Sequence, residues 1–265
     1  MLSVAIITFN EEENIERTMR SADGIAGEFV IVDSGSKDRT LEIARQFGPK
    51  VRAFSEEWKG FTRQKNSSIA KCSGQWVLSL DADEELSAAL RTEISSLMAA
   101  TPGEMGDARP KVVASVPRKN LFLGRWIRHG GGWPDRKYRL FERGAAQFGE
   151  RAVHEDIKVD PADQSLRVVE LQGALIHHAY PTLTIFIEHM NRYSSLGADI
   201  LVAKRTRGFS FFSIVVQPAV RFVYNYALRG GFLDGREGLL FHLYHSVYMS
   251  WKYAKAWERS RRLRS

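Results

Sequence analysis

The sequence predicts an α/β fold, in which a mainly parallel sheet is flanked by helices and followed by a helical C-terminal region. Three short apolar runs, LSVAIIT, EFVIVD and WVLSLD, are typical of strands that are buried on both faces. Helical apolar spacing separates the runs, which is the pattern of βαβ units. With 265 residues and 44% hydrophobic content, the chain can bury a sizeable core.

Each predicted strand ends in a polar cluster: TFNEEEN after the first, DSGSKDRT after the second and DADEE after the third. The helices between them are predicted from apolar positions at Ile15, Met19 and Ala22, then at Leu41, Ile43, Ala44 and Phe47, and then at Phe61, Ile69 and Cys72. Ligands of open α/β sheets bind at the carboxyl ends of the strands. We therefore expect the three polar clusters to surround one crevice.

The third cluster contains Asp81 and Asp83, separated by one residue. Two such carboxylates can direct oxygens at one hard cation, Mg²⁺ or Mn²⁺, which substrate phosphates commonly help to coordinate. Asp33, in the turn after the second strand, can accept hydrogen bonds from a nucleobase or a ribose. The same residues also fit a purely structural interpretation, in which Asp83 caps the next helix and DSGSKDRT is only a turn.

Four segments resemble glycosyltransferase family 2, which has the GT-A (Rossmann-like) fold: VAIITFNEEENIERTMRS, EFVIVDSGSKDRTLEIA, KNSSIAKCSGQWVLSLDADEEL and HGGGWPDRKYRLFERG. The similarity is closest to the lipopolysaccharide core β-1,4-glucosyltransferase group, and the late segment LRGGFLDGREGLLFHLYHSVYMSWKYAK extends it over most of the chain. It implies an inverting, metal-dependent hexosyltransferase that uses Mg²⁺ or Mn²⁺. The implied reaction moves a sugar, glucose in that group, from a nucleotide-sugar such as UDP-glucose to a lipid-linked saccharide.

The resemblance also assigns residues. It implies that Asp33 lies near the base, Asp81 near the ribose and diphosphate, and Asp83 on the metal. The other residues expected at the nucleotide are Thr8, Asn10, Glu11, Ser36, Lys65 and Ala82. His177 follows an apolar strand and is expected at the metal or the diphosphate, with a hydrogen-bonded structural role as its alternative.

An inverting transfer needs a general base that takes the proton from the acceptor hydroxyl. The candidates are Glu155 and Asp156 in RAVHEDIKVD. The Val-His-Glu element of the resembled group favours Glu155, whereas the general family pattern of Glu followed by Asp favours Asp156. Alternation along a strand sends the two side chains to opposite faces, so only one of them serves as the base.

The segment FLGRWIRHGGGWPDRKYRLFERG mixes aromatic and basic residues around three consecutive glycines, and it is predicted to bind the acceptor. Glycines allow a ligand to approach the backbone, tryptophan rings offer flat faces to a sugar, and arginines pair with phosphates. The expected acceptor-binding residues are His129, Trp133, Asp135, Arg136 and Arg139. The alternative is that the tryptophans pack in the core and the arginines are surface residues.

Residues 1–180 are predicted to form the catalytic domain and residues 181–265 a helical, basic and aromatic region. From residue 201 onwards there are twelve Lys and Arg against three Asp and Glu, in a chain with a net charge of +7. Within FSFFSIVVQPAVRFVYNYALRGG, residues Gln217, Pro218 and Arg221 favour a helix that lies in a membrane interface over one that spans it. We therefore expect peripheral attachment to the anionic inner face of the cytoplasmic membrane. An ordinary helical appendage is the alternative.

Several other classes are excluded or disfavoured. The single cysteine, Cys72, excludes an internal disulfide and a cysteine zinc site. The first residues lack the features of a secretory signal, so we expect a cytoplasmic protein. No nucleic-acid-binding motif accompanies the basic end, and no nucleic-acid partner is expected. The competing interpretations are a non-catalytic scaffold and a sugar nucleotidyltransferase, which typically has a Gly-rich loop where this chain has TFNEEEN.

Overall fold

The computed structural model describes residues 1–101, 109–149, 157, 159–160, 163–204 and 210–262. The chain divides into two compact units: the first comprises Met1–Arg118 and Asp135–His177, and the second comprises Lys119–Pro134 and His178–Ser265. The division predicted at residue 180 lies close to the last of these boundaries. It differs in one segment, because Lys119–Pro134 belongs to the second unit.

As far as Ala100, strands and helices alternate apart from one pair of consecutive strands, and five further strands follow as far as Tyr180. In chain order the elements are β1 (Leu2–Thr8), α1 (Ile15–Ala22), β2 (Glu28–Asp33), α2 (Thr40–Arg45), β3 (Val51–Ser55), α3 (Phe61–Ala70), β4 (Trp76–Asp81), β5 (Glu84–Leu86), α4 (Ala88–Ala100), β6 (Lys111–Phe122), β7 (Arg125–Trp126), β8 (Asp135–Glu142), β9 (Leu166–Glu170) and β10 (Leu175–Tyr180). The elements described after β10 are helical: α5 (Leu183–Ala203), a π-helical turn (Phe212–Val216), α6 (Gln217–Val223), a second π-helical turn (Tyr224–Leu228), a 3-10 turn (Gly231–Asp234) and α7 (Gly235–Arg262).

The sheet has the order β3-β2-β1-β4-β8-β6-β10-β5, and β9 pairs with β6. The first four strands in this order are parallel to their neighbours. Antiparallel pairing begins where β4 meets β8 and is also found between β5 and β10. The three strands predicted from the sequence are therefore confirmed as β1, β2 and β4, and so is the mixed, mainly parallel sheet.

Both faces of the parallel strands are covered, as the doubly apolar runs predicted. Val4 and Ile6 of β1 pack in one fully buried cluster with Ile15 and Met19 of α1. Ala5 of β1 faces the other side and belongs to a second cluster. Such two-sided burial is typical of parallel strands and fixes the strand ends at one edge, where the polar clusters lie.

The helix after the third cluster begins later than the sequence suggested. Residues Glu84–Leu86 form β5, and α4 begins at Ala88. Ser87 is the N-cap, because its side chain accepts a hydrogen bond from the backbone N–H of Leu90 at 3.2 Å. The structural alternative in which Asp83 caps this helix is therefore wrong, and the Asp83 carboxylate needs another role.

In the second unit, α5 and α7 pack through Phe186, whose ring stacks on Phe241 with centroids 5.7 Å apart. The buried positions of α5 are Phe186, Met190, Ser194 and Ala198. Ile185 and Leu196 of the same helix are 43% and 41% exposed. Among the residues that the structure describes, no helix is long and apolar enough to cross a membrane.

Candidate active site

The carboxyl ends of β1, β2 and β4 bring the predicted donor residues together. In the parallel register Thr8 lies opposite Asp33, and Ile7 lies opposite Asp81. The Thr8 hydroxyl donates a hydrogen bond to Asp33 Oδ1 at 2.9 Å. Residues that are far apart in sequence thus meet at one edge of the sheet, as expected from the βαβ pattern.

Asp33 organises the turn after β2. Its Oδ2 accepts the backbone N–H groups of Gly35 and Ser36, both at 2.9 Å, and its Oδ1 accepts the hydroxyls of Thr8 and Ser36. Gly35 has a φ of +89°, a conformation that favours glycine. Asp33 is only 1% exposed, and its described hydrogen bonds hold the turn in its conformation. A contact with a nucleobase stays a prediction.

Asn10 and Glu11 connect the first polar cluster to the second. The Asn10 N–H donates to Ser36 Oγ at 2.8 Å, and its side-chain oxygen accepts the N–H of Lys37 at 2.9 Å. The Glu11 N–H donates to Thr40 Oγ1 at 2.7 Å. Two loops predicted to bind the nucleotide are therefore joined by direct hydrogen bonds.

Glu11 has a strongly altered acidity. Burial is the largest influence and raises its pKa, a hydrogen bond from Asn14 works in the opposite direction, and the charge of Asp83 raises the pKa further, to a final value of about 7. A second carboxyl therefore lies close enough to Asp83 to feel its charge. The site carries a concentration of negative charge that a cation would relieve.

Asp81 is held between two cations. Lys65 Nζ lies 2.6 Å from Asp81 Oδ1, and Arg139 Nη2 lies 2.7 Å from Asp81 Oδ2. Burial acts to raise the Asp81 pKa, but the charges of Arg139 and Lys65 outweigh it and hold the pKa well below its ordinary value. Asp81 is therefore ionised and fixed in position.

The ionic contacts continue below Asp81. Arg139 also contacts Glu84 Oε1 at 2.8 Å, and Arg118 joins Glu84 Oε1 at 3.2 Å to Asp135 Oδ2 at 2.7 Å. Glu84 is completely buried and Arg139 is 4% exposed. With Lys137, whose Nζ lies 3.4 Å from Asp135 Oδ1, the described network has four cations and three carboxylates, and it explains why Glu84 follows the two aspartates.

Asp83 is directed to another partner. His177 of β10 lies opposite Glu84 in the antiparallel register, and its Nε2 is 3.3 Å from Asp83 Oδ2. Burial acts to raise the Asp83 pKa, but the charge and hydrogen bond of His177 overcome it and lower the pKa. The structure therefore brings together the two residues that were expected at a metal.

The chemistry of this pair fits a divalent cation that also binds phosphates. A carboxylate is a suitable ligand for both Mg²⁺ and Mn²⁺, and an imidazole is compatible with Mn²⁺, the softer of these two cations. Among the described residues, no group of three or more His, Cys, Asp and Glu side chains is arranged to hold a metal ion alone. A cation at Asp83 and His177 would thus take its other ligands from substrate and water.

Ala82 is fixed between the two aspartates. Its carbonyl oxygen accepts the Thr18 hydroxyl of α1 at 2.6 Å, and the residue is 5% exposed. The hydrogen bond ties the turn between β4 and β5 to the first helix. It limits the freedom of the backbone that carries Asp81 and Asp83.

The candidate general bases Glu155 and Asp156 lie outside the described residues. The segment that contains them is flanked by Phe148 and Ile157, which form an antiparallel bridge. Lys65 Nζ lies 5.1 Å from the centre of the Phe148 ring, and Asn66 bonds both backbone groups of Phe148. Phe148 is therefore anchored beside Lys65, which contacts Asp81.

Of the predicted acceptor residues, three lie in the first unit. Asp135 pairs with Arg118, and Arg136 contacts the carbonyl oxygen of Leu171 at 3.1 Å. Arg139 lies under Asp81, and its observed contacts are those of a buried counter-ion. Binding of the acceptor by these three residues stays a prediction.

The other two predicted acceptor residues, His129 and Trp133, lie in the second unit. The Trp133 ring meets that of Trp126 edge to face with centroids 5.0 Å apart. Trp126 has Lys119 Nζ 4.5 Å from its ring centre. His129 Nδ1 is 2.8 Å from Asp234 Oδ1. Asp234 was not among the candidates, although an Asp between two glycine-containing turns, in GGFLDG, was a signal for a structural carboxylate.

Sequence reasoning also missed Arg118 and the structural role of Glu84. A lone arginine at the end of the apolar run VVASVPR was the available signal, because a charge in a buried strand requires a partner. Its partners Glu84 and Asp135 are 34 and 17 residues away. They become neighbours only through strand pairing.

Comparisons with known proteins agree with the geometry. Residues 3–100 match the profile of the family described as "Glycosyl transferase family 2". The chain is 30% identical over 264 residues to the "Lipopolysaccharide core biosynthesis glycosyltransferase LpsC" of Rhizobium meliloti (strain 1021), covering 97% of this chain and 92% of that protein. It is 28% identical over 243 residues to the "Uncharacterized glycosyltransferase RT0209" of Rickettsia typhi (strain ATCC VR-144 / Wilmington), covering 90% and 80%.

The fold has a solved counterpart. The structure described as "Mannosyltransferase PcManGT from Pyrobaculum calidifontis in complex with GDP-Man and Mn2+" matches with a TM-score of 0.52 and 16% identity, covering 97% of this chain and 87% of that one. This likeness confirms the predicted GT-A fold, and the LpsC relative confirms the family resemblance. The chain belongs to glycosyltransferase family 2.

Proposed function

We propose that this glycosyltransferase is an inverting enzyme that moves glucose from UDP-glucose to a saccharide of a lipid-linked glycan of the lipopolysaccharide core type. The observation that carries the proposal is the pair of carboxylates after β4, one ionised between Lys65 and Arg139 and the other paired with His177. The relation to LpsC supports the class of glycan. The resemblance to core glucosyltransferases supports the sugar.

In this proposal Asp81 and Asp83 divide the work at the donor. Asp81 is fixed by two cations and contacts the ribose and diphosphate side of the nucleotide. Asp83 and His177 hold Mg²⁺ or Mn²⁺, which would neutralise negative charge on the diphosphate. That PcManGT binds GDP-Man and Mn²⁺ supports this choice of cofactor.

Glu155 is the proposed base, with Asp156 as its alternative. The base accepts the proton of the acceptor hydroxyl while that oxygen bonds to the anomeric carbon, and the bond to the diphosphate oxygen breaks on the opposite face. The contacts of Phe148 with Lys65 and Asn66 support a position of this segment beside the donor site. Glu155→Gln should abolish transfer and keep UDP binding, and the same result in Asp156→Asn alone would reverse the assignment.

Thermal unfolding with nucleotides tests the donor site. Ligand that binds only the native state raises the melting temperature, so UDP or UDP-glucose with Mn²⁺ should stabilise the protein. Asp83→Ala should remove the part of this shift that needs metal, while Glu57→Ala, at an exposed position, should keep it. No stabilisation by any nucleotide would overturn the proposed function. An equal shift without metal would overturn the cation site.

A membrane surface is the proposed location of the acceptor, on the inner face of the cytoplasmic membrane. The region around α6 in the second unit exposes large apolar side chains: Phe211 at 67%, Phe212 at 61%, Val220 at 61%, Val223 at 53% and Leu228 at 75%. Burial of such side chains in the interface of a bilayer is favourable, and the net positive charge of this end favours anionic lipid.

Vesicle binding tests this location. Two C-terminal cations, Lys255 and Arg259, bond to α5, so apolar contacts should dominate. Leu228→Ser should weaken partition into phosphatidylglycerol vesicles about tenfold, since one buried leucine contributes roughly 1.5–3 kcal/mol. Leu196→Ser, which removes a 41% exposed leucine of α5, is the matched control. Equal partition of both variants and the unmodified protein would refute the membrane proposal.

A further inference from the structure

The loop around the three consecutive glycines is anchored by one buried carboxylate. Asp234 is 3% exposed. Its Oδ2 accepts the backbone N–H groups of Arg128 at 3.0 Å and His129 at 2.8 Å, while its Oδ1 lies 2.8 Å from His129 Nδ1. These three bonds satisfy the Asp234 charge internally and fix both the backbone and the ring of His129.

Close packing of His242 against Gly130 and Gly231 also holds the loop in place. A methyl group at Gly130 would lie 2.1 Å from the ring of His242, and one at Gly231 would lie 2.5 Å from the same ring. Gly130 has a φ of +65°, and its N–H donates to the carbonyl oxygen of Arg229 at 3.0 Å. The loop is therefore built to one conformation: space requires glycine at both positions, and at Gly130 the backbone angle requires it as well.

This anchor determines what His129 presents. A carboxylate only accepts hydrogen bonds, so His129 Nδ1 carries a proton and the Nε2 edge of the ring points away from Asp234. The His129 side chain is 34% exposed. In the imidazolium form both ring nitrogens carry protons, so Nδ1–H donates to Asp234 and Nε2–H donates to an anionic oxygen of a ligand.

Three arginines belong to the loop that carries this ring or lie against it. Arg229 lies against the backbone of Gly131, where a methyl group would be 2.4 Å from Arg229 Nη1. Arg128 is exposed and lies over the Trp126 ring at 5.5 Å. Arg125 contacts Glu237 at 3.7 Å, which offsets one cation but not the others. An anionic oxygen group is the ligand that this combination of imidazolium and guanidinium recognises.

We propose that His129, positioned by Asp234, forms with Arg229 a binding site for a phosphate group, and that the acceptor saccharide carries this phosphate. The identification of the saccharide as the source rests on the proposed transferase function. The site itself rests only on the second unit. Asp234 is a positioning residue, because it acts through His129 and the loop backbone.

Imidazole NMR signals of the full chain, labelled at its seven histidines, test the site. The His129 signal is assigned by its loss in His129→Gln. It should shift with inorganic phosphate and with mannose 6-phosphate but not with mannose. Arg229→Gln should weaken the apparent affinity roughly tenfold, as for loss of a charge-assisted hydrogen bond. Arg192→Gln, which removes an exposed cation of α5, should change it less than about twofold.

Several results would overturn the proposal. One is an unchanged His129 signal at about 10 mM phosphate, well above a millimolar Kd. Another is equal weakening by Arg229→Gln and Arg192→Gln. Asp234→Asn should broaden or move the His129 signal before any ligand is added, and if that variant unfolds, the other two substitutions still decide. A response to phosphatidylglycerol vesicles but not to mannose 6-phosphate would overturn the saccharide as the source.

The two proposals fail separately. Stabilisation by UDP reports on the donor site, whereas the His129 signal reports on the second unit. If UDP has no effect and phosphate still moves the His129 signal, the transferase function fails and the phosphate site stands. The reverse outcome removes only the phosphate site.

Discussion

Arg139→Met tests the buried network beneath Asp81. The network pairs Lys65, Arg118 and Arg139 with Asp81, Glu84 and Asp135. Removal of Arg139 takes away the cation that Asp81 and the completely buried Glu84 share. Loss of one member of a buried pair costs about 3–5 kcal/mol. We expect the lower end, because Lys65 stays 2.6 Å from Asp81 and Arg118 stays 3.2 Å from Glu84.

A loss of about 3 kcal/mol should lower the melting temperature by roughly 6–12 °C in a protein of this size. Differential scanning calorimetry is the assay. Arg20→Met is the matched control, because Arg20 is 71% exposed in its pair with Glu16, and such pairs contribute less than about 1 kcal/mol.

A second substitution separates charge from packing. Glu84→Gln in the Arg139→Met background neutralises one of the two carboxylates that lost a cation, so it should recover about half of the lost stability. If Arg139→Met has the same melting temperature as the unmodified protein, the network does not stabilise the fold and our reasoning is refuted. If the double variant melts no higher than the single one, the cost arises from packing rather than from charge.

Three further substitutions probe other features. Burial, followed by the charge of His242, lowers the pKa of His245 from 6.5 to about 4. Between these pH values unfolding takes up a proton, so the free energy of unfolding falls by about 3 kcal/mol as the pH drops from 6.5 to 4. His245→Phe should remove this acid dependence in urea titrations, and an unchanged pH profile would contradict the assignment. Gly130→Ala should lower the free energy of unfolding by about 3 kcal/mol, because the added methyl group collides with His242 and the backbone φ is positive. Gly24→Ala is the control and should be neutral in thermal melts, because no atom lies within 4 Å of the added methyl group. Similar losses in both variants would contradict the packing argument. Ser87→Ala should cost about 1 kcal/mol as the lost cap of α4, and circular dichroism melts that show no change would contradict that role.

The sequence was most informative where local pattern determines position. Apolar runs followed by polar clusters predicted β1, β2 and β4, and parallel register then requires their ends to meet. The meeting of Thr8 with Asp33 followed from this rule, and the approach of His177 to Asp83 was expected from the resemblance. No knowledge of distances was needed, because the rule depends only on strand direction.

It was less informative where pairing between distant strands decides. Arg118 and Arg139 lie in β6 and β8, and Glu84 lies in a three-residue strand that the sequence read as the start of a helix. Which charges are neighbours depends on the register of these strands, which short mixed segments do not reveal. The partner of Phe186 in α7 is hidden from the sequence for a similar reason, since helical spacing does not identify it.

The grouping of Lys119–Pro134 with the C-terminal helices matters for protein engineering. The backbone passes between the two units after Arg118, after Pro134 and after His177. Phe122 and Ile127 of the segment Lys119–Pro134 share a buried cluster with Phe186. A hybrid enzyme that takes its helical end from a relative by one crossover near residue 180 would mismatch that cluster. A compatible hybrid must take both Lys119–Pro134 and the residues after His177 from the same relative. Amino-acid changes in Lys119–Pro134 should therefore accompany changes in the C-terminal helices.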